Sequence, residues 1–160
     1  SEGTAEYDND RVAVVETNVD DMNPQVYDYL VEKMLSMGAL DVFLVPIQMK
    51  KNRPATMISV ICAPDRVQEF AGFLLRETTT IGLRWRIDDR IKAVRSFQQV
   101  QTELGPITFK VAATDGRILN ATPEYEDCKR VAQQTGVPLK DVMDQAKAAA
   151  SRVLKGNEQR

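Results

Sequence analysis

Histidine is absent from this chain of 160 residues. Its absence removes both the commonest general base and the commonest protein ligand of transition metals. Any chemistry on this chain must therefore use carboxylates, Lys, Arg, hydroxyl groups or the atoms of a bound cofactor.

Cysteine is scarce, since Cys62 and Cys128 are the two that the sequence contains, and they show no C-x-x-C spacing. One falls in a predicted buried strand and the other in a predicted helix. We expect two reduced thiols in a cytoplasmic protein, because nothing in the spacing favours a disulfide.

Long apolar runs are missing too. No run approaches membrane-spanning length and no signal-peptide pattern is present, so we expect neither export nor a membrane partner. The formal net charge is -2 and the pI ≈ 5.3. Nucleic-acid-binding proteins normally present a basic face, so nucleic acid is not an expected partner either.

What the sequence does contain is 43% hydrophobic residues, which can supply a core for one domain with a smaller appended unit. The predicted order of elements is βαββαβ, which is the order of an α+β, ferredoxin-like domain. The predicted elements are a strand from Arg11 to Val19, a helix from Asn23-Pro24 to Gly38, strands Leu40 to Gln48 and Thr56 to Cys62, a helix from Pro64-Asp65 into Glu77 to Thr80, and a strand from Gly82 to Asp88.

The domain boundaries follow from changes in texture. We predict a flexible tail over residues 1–10, the ferredoxin-like domain over 11–90, and a β-rich and helical extension over 91–160. The chain begins at Ser1 with a polar, acidic stretch, which indicates a piece of a longer protein. The extension contains strands Ile91 to Gln101 and Pro106 to Ala113, a tight turn at Asp115-Gly116, a helix from Pro123 to Gly136 and a helix from Pro138.

A short cationic stretch, Met49-Lys50-Lys51-Asn52-Arg53-Pro54, separates the second and third predicted strands. The two strands should form a hairpin with three positive charges at its tip, and Pro54 should end the pairing. Such a tip is either a solvated loop or part of a binding site.

The fold brings further polar segments to that tip. In a ferredoxin-like sheet, the end of the first strand, the hairpin tip and the start of the fourth strand lie at one edge. Lys and Arg suit phosphate oxygens, threonine hydroxyls add donors, and carboxylates hold Mg²⁺ or Mn²⁺. We therefore predict a site for a phosphate-bearing ligand with a divalent ion, with Lys50, Lys51, Arg53, Thr78, Thr79, Thr80 and Arg84 on the phosphates and Asp20, Asp21 and then Glu77 on the metal.

Simpler interpretations of the same residues remain open. Asp20 and Asp21 could simply interact favourably with the dipole of the helix that follows them, without binding a ligand. The threonine run could be a helix exit that leads into a strand, and Arg84 could lie on the solvated face of an edge strand. Neither standard phosphate-binding loop, G-x-x-x-x-G-K-[ST] or G-x-G-x-x-G, is present.

Four segments together resemble one known family. They are ETNVDDMNPQ (residues 16–25), GALDVFLVPIQMKKNRPAT (38–56), ETTTIGLR (77–84) and NATPEYEDCK (120–129). In this order they are similar to the carboxyl-terminal part of the nickel insertion proteins, which complete the nickel-pincer nucleotide cofactor of lactate racemase.

The resemblance implies an activity for the full-length protein. It implies a CTP-dependent cyclometallase, a lyase, that inserts nickel into pyridinium bisthiocarboxylic acid mononucleotide, with Mg²⁺ or Mn²⁺ accompanying the CTP. Members also have an amino-terminal region with a histidine-rich stretch, which this sequence lacks. The carboxyl-terminal part is associated with CTP binding and oligomer formation, so we expect a homo-oligomer that binds nucleotide and precursor without turnover; no catalytic residue is assigned.

Two other classes compete with this interpretation. A ferredoxin-like regulatory or oligomerisation module would bind a small effector without catalysis. An RNA-recognition domain shares the βαββαβ order, but it stacks bases on aromatic side chains of its central strands, and the first and third predicted strands have none.

Overall fold

The computed structural model describes residues 7–156, with side chains described to residue 152. Two compact units divide the chain. We refer to Asn9–Arg90 as the N-terminal unit, and to residues 91–156 with residues 7 and 8 as the C-terminal unit.

Six strands and four helices make up the described residues. The strands are β1 (Tyr7–Val19), β2 (Asp41–Met49), β3 (Arg53–Cys62), β4 (Arg84–Thr102), β5 (Gly105–Thr114) and β6 (Arg117–Pro123). The helices are α1 (Gln25–Ser36), α2 (Val67–Glu77), α3 (Tyr125–Thr135) and α4 (Leu139–Gly156). Short 3-10 turns occur at Lys50–Asn52 and Pro64–Arg66. None of the helices in this part of the chain has the length and hydropathy needed to span a bilayer.

The N-terminal unit has the predicted ferredoxin-like topology. Its strands follow the order β2-β3-β1-β4, and β3 is antiparallel to both β1 and β2. β1 is central, so successive residues from Val12 to Val15 are all buried. On one face, Val15 and Val19 pack in a core with residues of both helices, including Leu30 and Phe70. The α+β, ferredoxin-like prediction is confirmed.

In the C-terminal unit, strands β4, β5 and β6 lie side by side. Ile107, Phe109 and Val111 of β5 form a core with α3 and α4. The predicted turn is present, with φ of 49° at Asp115 and 71° at Gly116. Pro123 ends β6 instead of starting the helix, and α3 begins at Tyr125.

Two predicted boundaries were wrong, and both errors concern charged residues. β1 begins at Tyr7, so residues 7–10 belong to a strand; the rest of the predicted tail lies outside the described residues. The strands predicted at 82–88 and 91–101 are one strand, β4. The charged stretch between them resembles a turn, but Arg90 pairs with Asp10 at 2.6 Å and Asp89 with Arg11 at 3.3 Å. Partners on β1 thus let charged residues continue the strand.

The prediction that Pro54 ends the hairpin was also wrong. Pro54 is paired with Gln48, and the ladder continues to Arg53, which is paired with Met49. The pairing of β1 with β3 stops earlier, at Thr56. Pro54 therefore lies beyond the end of β1, where a missing N–H deprives no partner on that side.

Candidate functional site

The hairpin tip between β2 and β3 has an unusual backbone. Lys51 and Asn52 both have φ of 59°, in the left-handed region. That conformation costs roughly 1–2 kcal/mol for an ordinary L-residue, although asparagine tolerates it better. The Gln48 side-chain amide donates a hydrogen bond of 2.9 Å to the carbonyl oxygen of Asn52 and so holds the turn. The tip is therefore ordered by its own contacts.

Positive charge at this tip is mostly unneutralised. Lys50, Lys51 and Arg53 are all exposed. Among the described residues, neither Lys50 nor Lys51 has an ion-pair partner, whereas Arg53 Nη1 lies 3.8 Å from Asp20 Oδ2. At 3.8 Å and with both groups accessible, this pair is weak, so Arg53 can exchange Asp20 for another anion.

Two carboxylates, those of Asp20 and Asp21, follow the end of β1. Asp20 faces Arg53, and Asp21 Oδ1 accepts a hydrogen bond from the Thr79 hydroxyl. The structure therefore brings the end of β1 to both the hairpin tip and the threonine run, as the topology predicted. Glu77 is the last residue of α2.

The three neighbouring threonines have different partners. Thr78 Oγ1 donates to the Leu74 carbonyl at 2.7 Å and so closes the end of α2. Thr80 Oγ1 lies 2.6 Å from the Thr17 hydroxyl and 2.7 Å from the Gly82 carbonyl. Thr79 alone of the three contacts an acidic side chain, that of Asp21. Thr78 and Thr80 thus fix the loop, and Thr79 contacts the Asp21 carboxylate.

Arg84 is held by other side chains. Its Nη2 lies 3.3 Å from Glu16 Oε2 and 3.4 Å from Asn18 Oδ1. Glu16, whose side chain is 12% exposed, also forms an ion pair of 3.2 Å with Arg86. The hydrogen bond between these two side chains raises the pKa of Arg86. Side chains alternate along β1, so Glu16 and Asn18 lie on the face opposite Val15 and the helices. Arg84 therefore has an anionic partner already.

The carboxylates do not by themselves make a complete metal cage. Within the described residues, no three His, Cys, Asp or Glu side chains form a group that could hold a metal ion. A divalent ion near Asp20 and Asp21 would need further oxygen ligands from a phosphate or from water. Cys62 and Cys128 are buried free thiols, and burial raises the pKa of both, so they offer no accessible thiolate.

A small cavity of about 180 Å³ adjoins Asp20. Its walls include the first turn of α1, which the Asn23 side chain begins by accepting a 3.0 Å hydrogen bond from the backbone N–H of Gln25. The residues lining this cavity are Val19, Asp20, Met22, Pro24, Tyr27, Pro54, Ala55 and Thr56.

Sequence reasoning missed Thr17 and Glu16 as members of this region. A signal for Thr17 was available, because it is the polar residue in the inward phase of β1, two residues from Val15 and from Val19. Glu16 carries no comparable signal, because its importance depends on two arginines of β4.

Fold and site together define a ferredoxin-like domain with a charged sheet edge. Within this class, the model of the family described as "Nickel insertion protein" matches residues 2–143, so the chain belongs to the nickel insertion protein family. The resemblance proposed from the sequence is confirmed.

Two curated relatives are pyridinium-3,5-bisthiocarboxylic acid mononucleotide nickel insertion proteins from Thermotoga. The one from Thermotoga sp. (strain RQ2) is 46% identical over 129 residues, which cover 81% of this chain and 32% of the relative. The one from Thermotoga petrophila is 46% identical over 140 residues, which cover 88% and 35%. The chain thus spans about a third of the length of these relatives.

Two solved structures share the fold. The C-terminal domain of a cyclometallase involved in the synthesis of the NPN cofactor of lactate racemase, in its apo form, is 37% identical with a TM-score of 0.82. That match covers 90% of this chain and 99% of the domain. A protein from Methanopyrus kandleri AV19 is 24% identical with a TM-score of 0.65, over 89% of this chain and 90% of its own, and it shows the fold alone.

Proposed function

We propose that this chain is the CTP-binding, carboxyl-terminal part of an enzyme that inserts nickel into pyridinium-3,5-bisthiocarboxylic acid mononucleotide. The family membership and the activities for which the relatives are named support the reaction. Nickel and the pincer precursor are substrates of that whole enzyme, a CTP-dependent lyase. The observation on which the nucleotide site depends is the pair of exposed lysines at the hairpin tip, where Arg53 lies 3.8 Å from Asp20.

The residues at this edge fit a nucleotide with a hard divalent ion. Lys50, Lys51 and Arg53 match phosphate oxygens in charge and donor number. Asp20 and Asp21 supply the oxygen ligands that Mg²⁺ and Mn²⁺ prefer, and a phosphate would complete a set that is too small alone. Imidazole is a suitable ligand for nickel and this chain contains no histidine, so we place the nickel chemistry outside this edge.

Each predicted residue then has a role. Lys50 and Lys51 would hold the phosphates, and Arg53 would turn from Asp20 towards them. Asp20 and Asp21 would hold the divalent ion, and Thr79 would orient Asp21. Glu77, at the end of α2, is the next candidate ligand of that ion. Arg84, Thr78 and Thr80 would act through their neighbours, because their polar atoms already have partners in the N-terminal unit.

The bound nucleotide would supply phosphate charge and binding energy to the whole enzyme. In this chain, the residues of the edge bind and orient it, so the chain alone binds without turnover. We further propose a cytoplasmic location and a homo-oligomer.

Calorimetric titration of this chain with CTP tests the proposal, with ATP as the control and with Mg²⁺ or Mn²⁺ present or absent. We expect binding that requires the divalent ion and favours CTP. Absence of binding under every condition would refute the nucleotide site and would leave nucleotide binding to the rest of the longer enzyme.

A second candidate is an oligomerisation or regulatory module that takes no part in catalysis. The observation that favours it is the exposure of two large apolar side chains near the threonine run, Ile81 at 101% and Trp85 at 54%. Such a module has no need of a metal to bind its effector. Nucleotide binding that is unchanged by chelation of divalent ions would therefore favour this candidate.

A further inference from the structure

Thr17 is a buried hydroxyl on an otherwise apolar face of β1. It is 1% exposed, between Val15 and Val19, which are 0% and 3% exposed and face the same helices. Burying a hydroxyl group is unfavourable unless it is hydrogen-bonded. The partners of Thr17 therefore explain why a threonine stands at this position.

Those partners belong to the loop between α2 and β4. Thr17 Oγ1 lies 2.6 Å from Thr80 Oγ1 and 3.0 Å from the Gly82 carbonyl oxygen. Thr80 Oγ1 in turn lies 2.7 Å from the same carbonyl. The two hydroxyl groups have one hydrogen each, so both are used inside this triangle of oxygens. Residues 80–82 are thereby attached to the centre of the sheet.

The same loop bears on the charged edge one residue earlier. Thr79 donates a hydrogen bond to Asp21, four residues beyond Thr17 on the chain. Two neighbouring threonines are thus attached to two points near the end of β1, one buried and one exposed. A shift of Thr80 away from Thr17 would move Thr79 away from Asp21.

We propose that Thr17 is a positioning residue for the charged edge: it fixes residues 80–82 so that the adjoining Thr79 holds the Asp21 carboxylate in place for the divalent ion of the nucleotide. The inference depends on the proposed function. Thr17 acts only through Thr80 and Thr79, since its hydroxyl is enclosed in the core.

Three variants test this role. Thr17→Val keeps the shape and removes the hydroxyl, and Thr17→Ser keeps the hydroxyl. Ile58→Val is the matched control, because Ile58 is fully buried, faces the same core and is paired with Thr17 across the sheet. The measurements are amide hydrogen exchange of residues 79–82 without ligand, and calorimetric affinity for CTP with Mg²⁺ well below the unfolding temperature.

We expect Thr17→Val to speed exchange in the loop and to weaken Mg²⁺-CTP binding about tenfold, the effect of losing roughly one hydrogen bond. Thr17→Ser should restore the wild-type exchange rate and the wild-type affinity. Ile58→Val should lower the unfolding temperature without changing the exchange of residues 79–82 or the affinity. If wild-type protein binds CTP and Thr17→Val binds it equally well, the inference alone fails. Equal weakening by Ile58→Val would also overturn it, whereas failure of the wild type to bind refutes the proposed function and this inference together.

Discussion

The two units each contain a tight hairpin turn with two consecutive residues in the left-handed region. The residues at these positions suit that backbone in one turn and do not suit it in the other. The β5–β6 turn has Asp115 and Gly116, the residues that such a backbone favours. The β2–β3 turn has Lys51 and Asn52, with no glycine from Met49 to Pro54. A lysine there is disfavoured by roughly 1 kcal/mol or more. The β5–β6 turn suits its backbone, whereas the β2–β3 turn places a charged residue in a disfavoured conformation, and strain of this kind is often found at functional sites.

Removing both lysines should break this contrast most strongly. In Lys50→Ala with Lys51→Ala, we expect CTP affinity to fall by about 100-fold or more, because two charge-assisted contacts to phosphate are lost. Calorimetry in the presence of Mg²⁺ measures the effect. Lys129→Ala with Lys140→Ala removes the same charge from exposed positions on α3 and α4 and should leave affinity unchanged. Equal loss in both double variants would indicate a net-charge effect and contradict the assignment.

Lys51→Gly separates backbone from charge at the same turn. Glycine relieves the left-handed strain, so the free energy of unfolding should rise by about 0.5 kcal/mol, with chain entropy offsetting part of the gain. CTP affinity should nevertheless fall about tenfold, the effect of one lost cation. Urea unfolding and calorimetry on one preparation measure both quantities. Unaltered affinity would mean that Lys51 serves only the turn.

The reciprocal change, Gly116→Ala, should affect stability alone. A Cβ at Gly116 would meet nothing within 4 Å, so any loss is conformational and should be about 1 kcal/mol. Urea unfolding measures the loss, and CTP affinity should stay at the wild-type value. A change in affinity here would show that the two turns are not functionally distinct.

The smallest expected effect concerns Asp127 in the C-terminal unit, whose carboxylate is held by Thr108 and Arg130. Hydrogen bonds from the Thr108 side chain and from the Thr108 backbone N–H, the latter 2.7 Å long, together with Arg130, hold the pKa of Asp127 below its ordinary value. The stability that the Asp127 carboxylate contributes to the folded protein is therefore fully present above the ordinary aspartate pKa. It is lost as pH falls through the lowered pKa.

Asp127→Asn should remove the acid dependence of stability that comes from this carboxylate. At neutral pH the free energy of unfolding should fall by under about 1 kcal/mol, because the carboxylate is partly exposed. Unfolding measured across acidic pH checks the prediction. An unchanged pH profile in Asp127→Asn would show that the carboxylate contributes nothing to the pH dependence of stability. Asp115→Asn, at the turn in the same unit, offers a comparison.

Most of the fold was predictable because its signals are local. The Asn23-Pro24 start of α1, the Gly136 end of α3 and the Asp115-Gly116 turn each depend on the conformational preference of one or two residues. The meeting of the end of β1 with the hairpin tip and the threonine run followed from topology alone. The continuous strand β4 did not, since its charged middle resembles a turn until the partners on β1 are known.

The individual contacts of the candidate site residues could not be predicted from the sequence. Three adjacent threonines look equivalent in the sequence, yet Thr78 closes a helix, Thr79 meets Asp21 and Thr80 meets Thr17. Thr78 bonds to Leu74 within its own helix, but the partners of Thr79 and Thr80 lie about sixty positions away along the chain, as does Glu16, the partner of Arg84. Patterns within a short window contain no information on such partners.

Pro46 in β2 has a consequence for the behaviour of this domain at high concentration. β2 is the outer strand of the N-terminal unit, and Pro46 lies within it, paired with Thr56 of β3. Proline is tolerated in a paired edge strand where its nitrogen faces away from the partner, so the outer rim of β2 lacks a hydrogen-bond donor at this point. An incoming strand from another molecule would find its ladder interrupted there, which protects the domain against edge-to-edge aggregation.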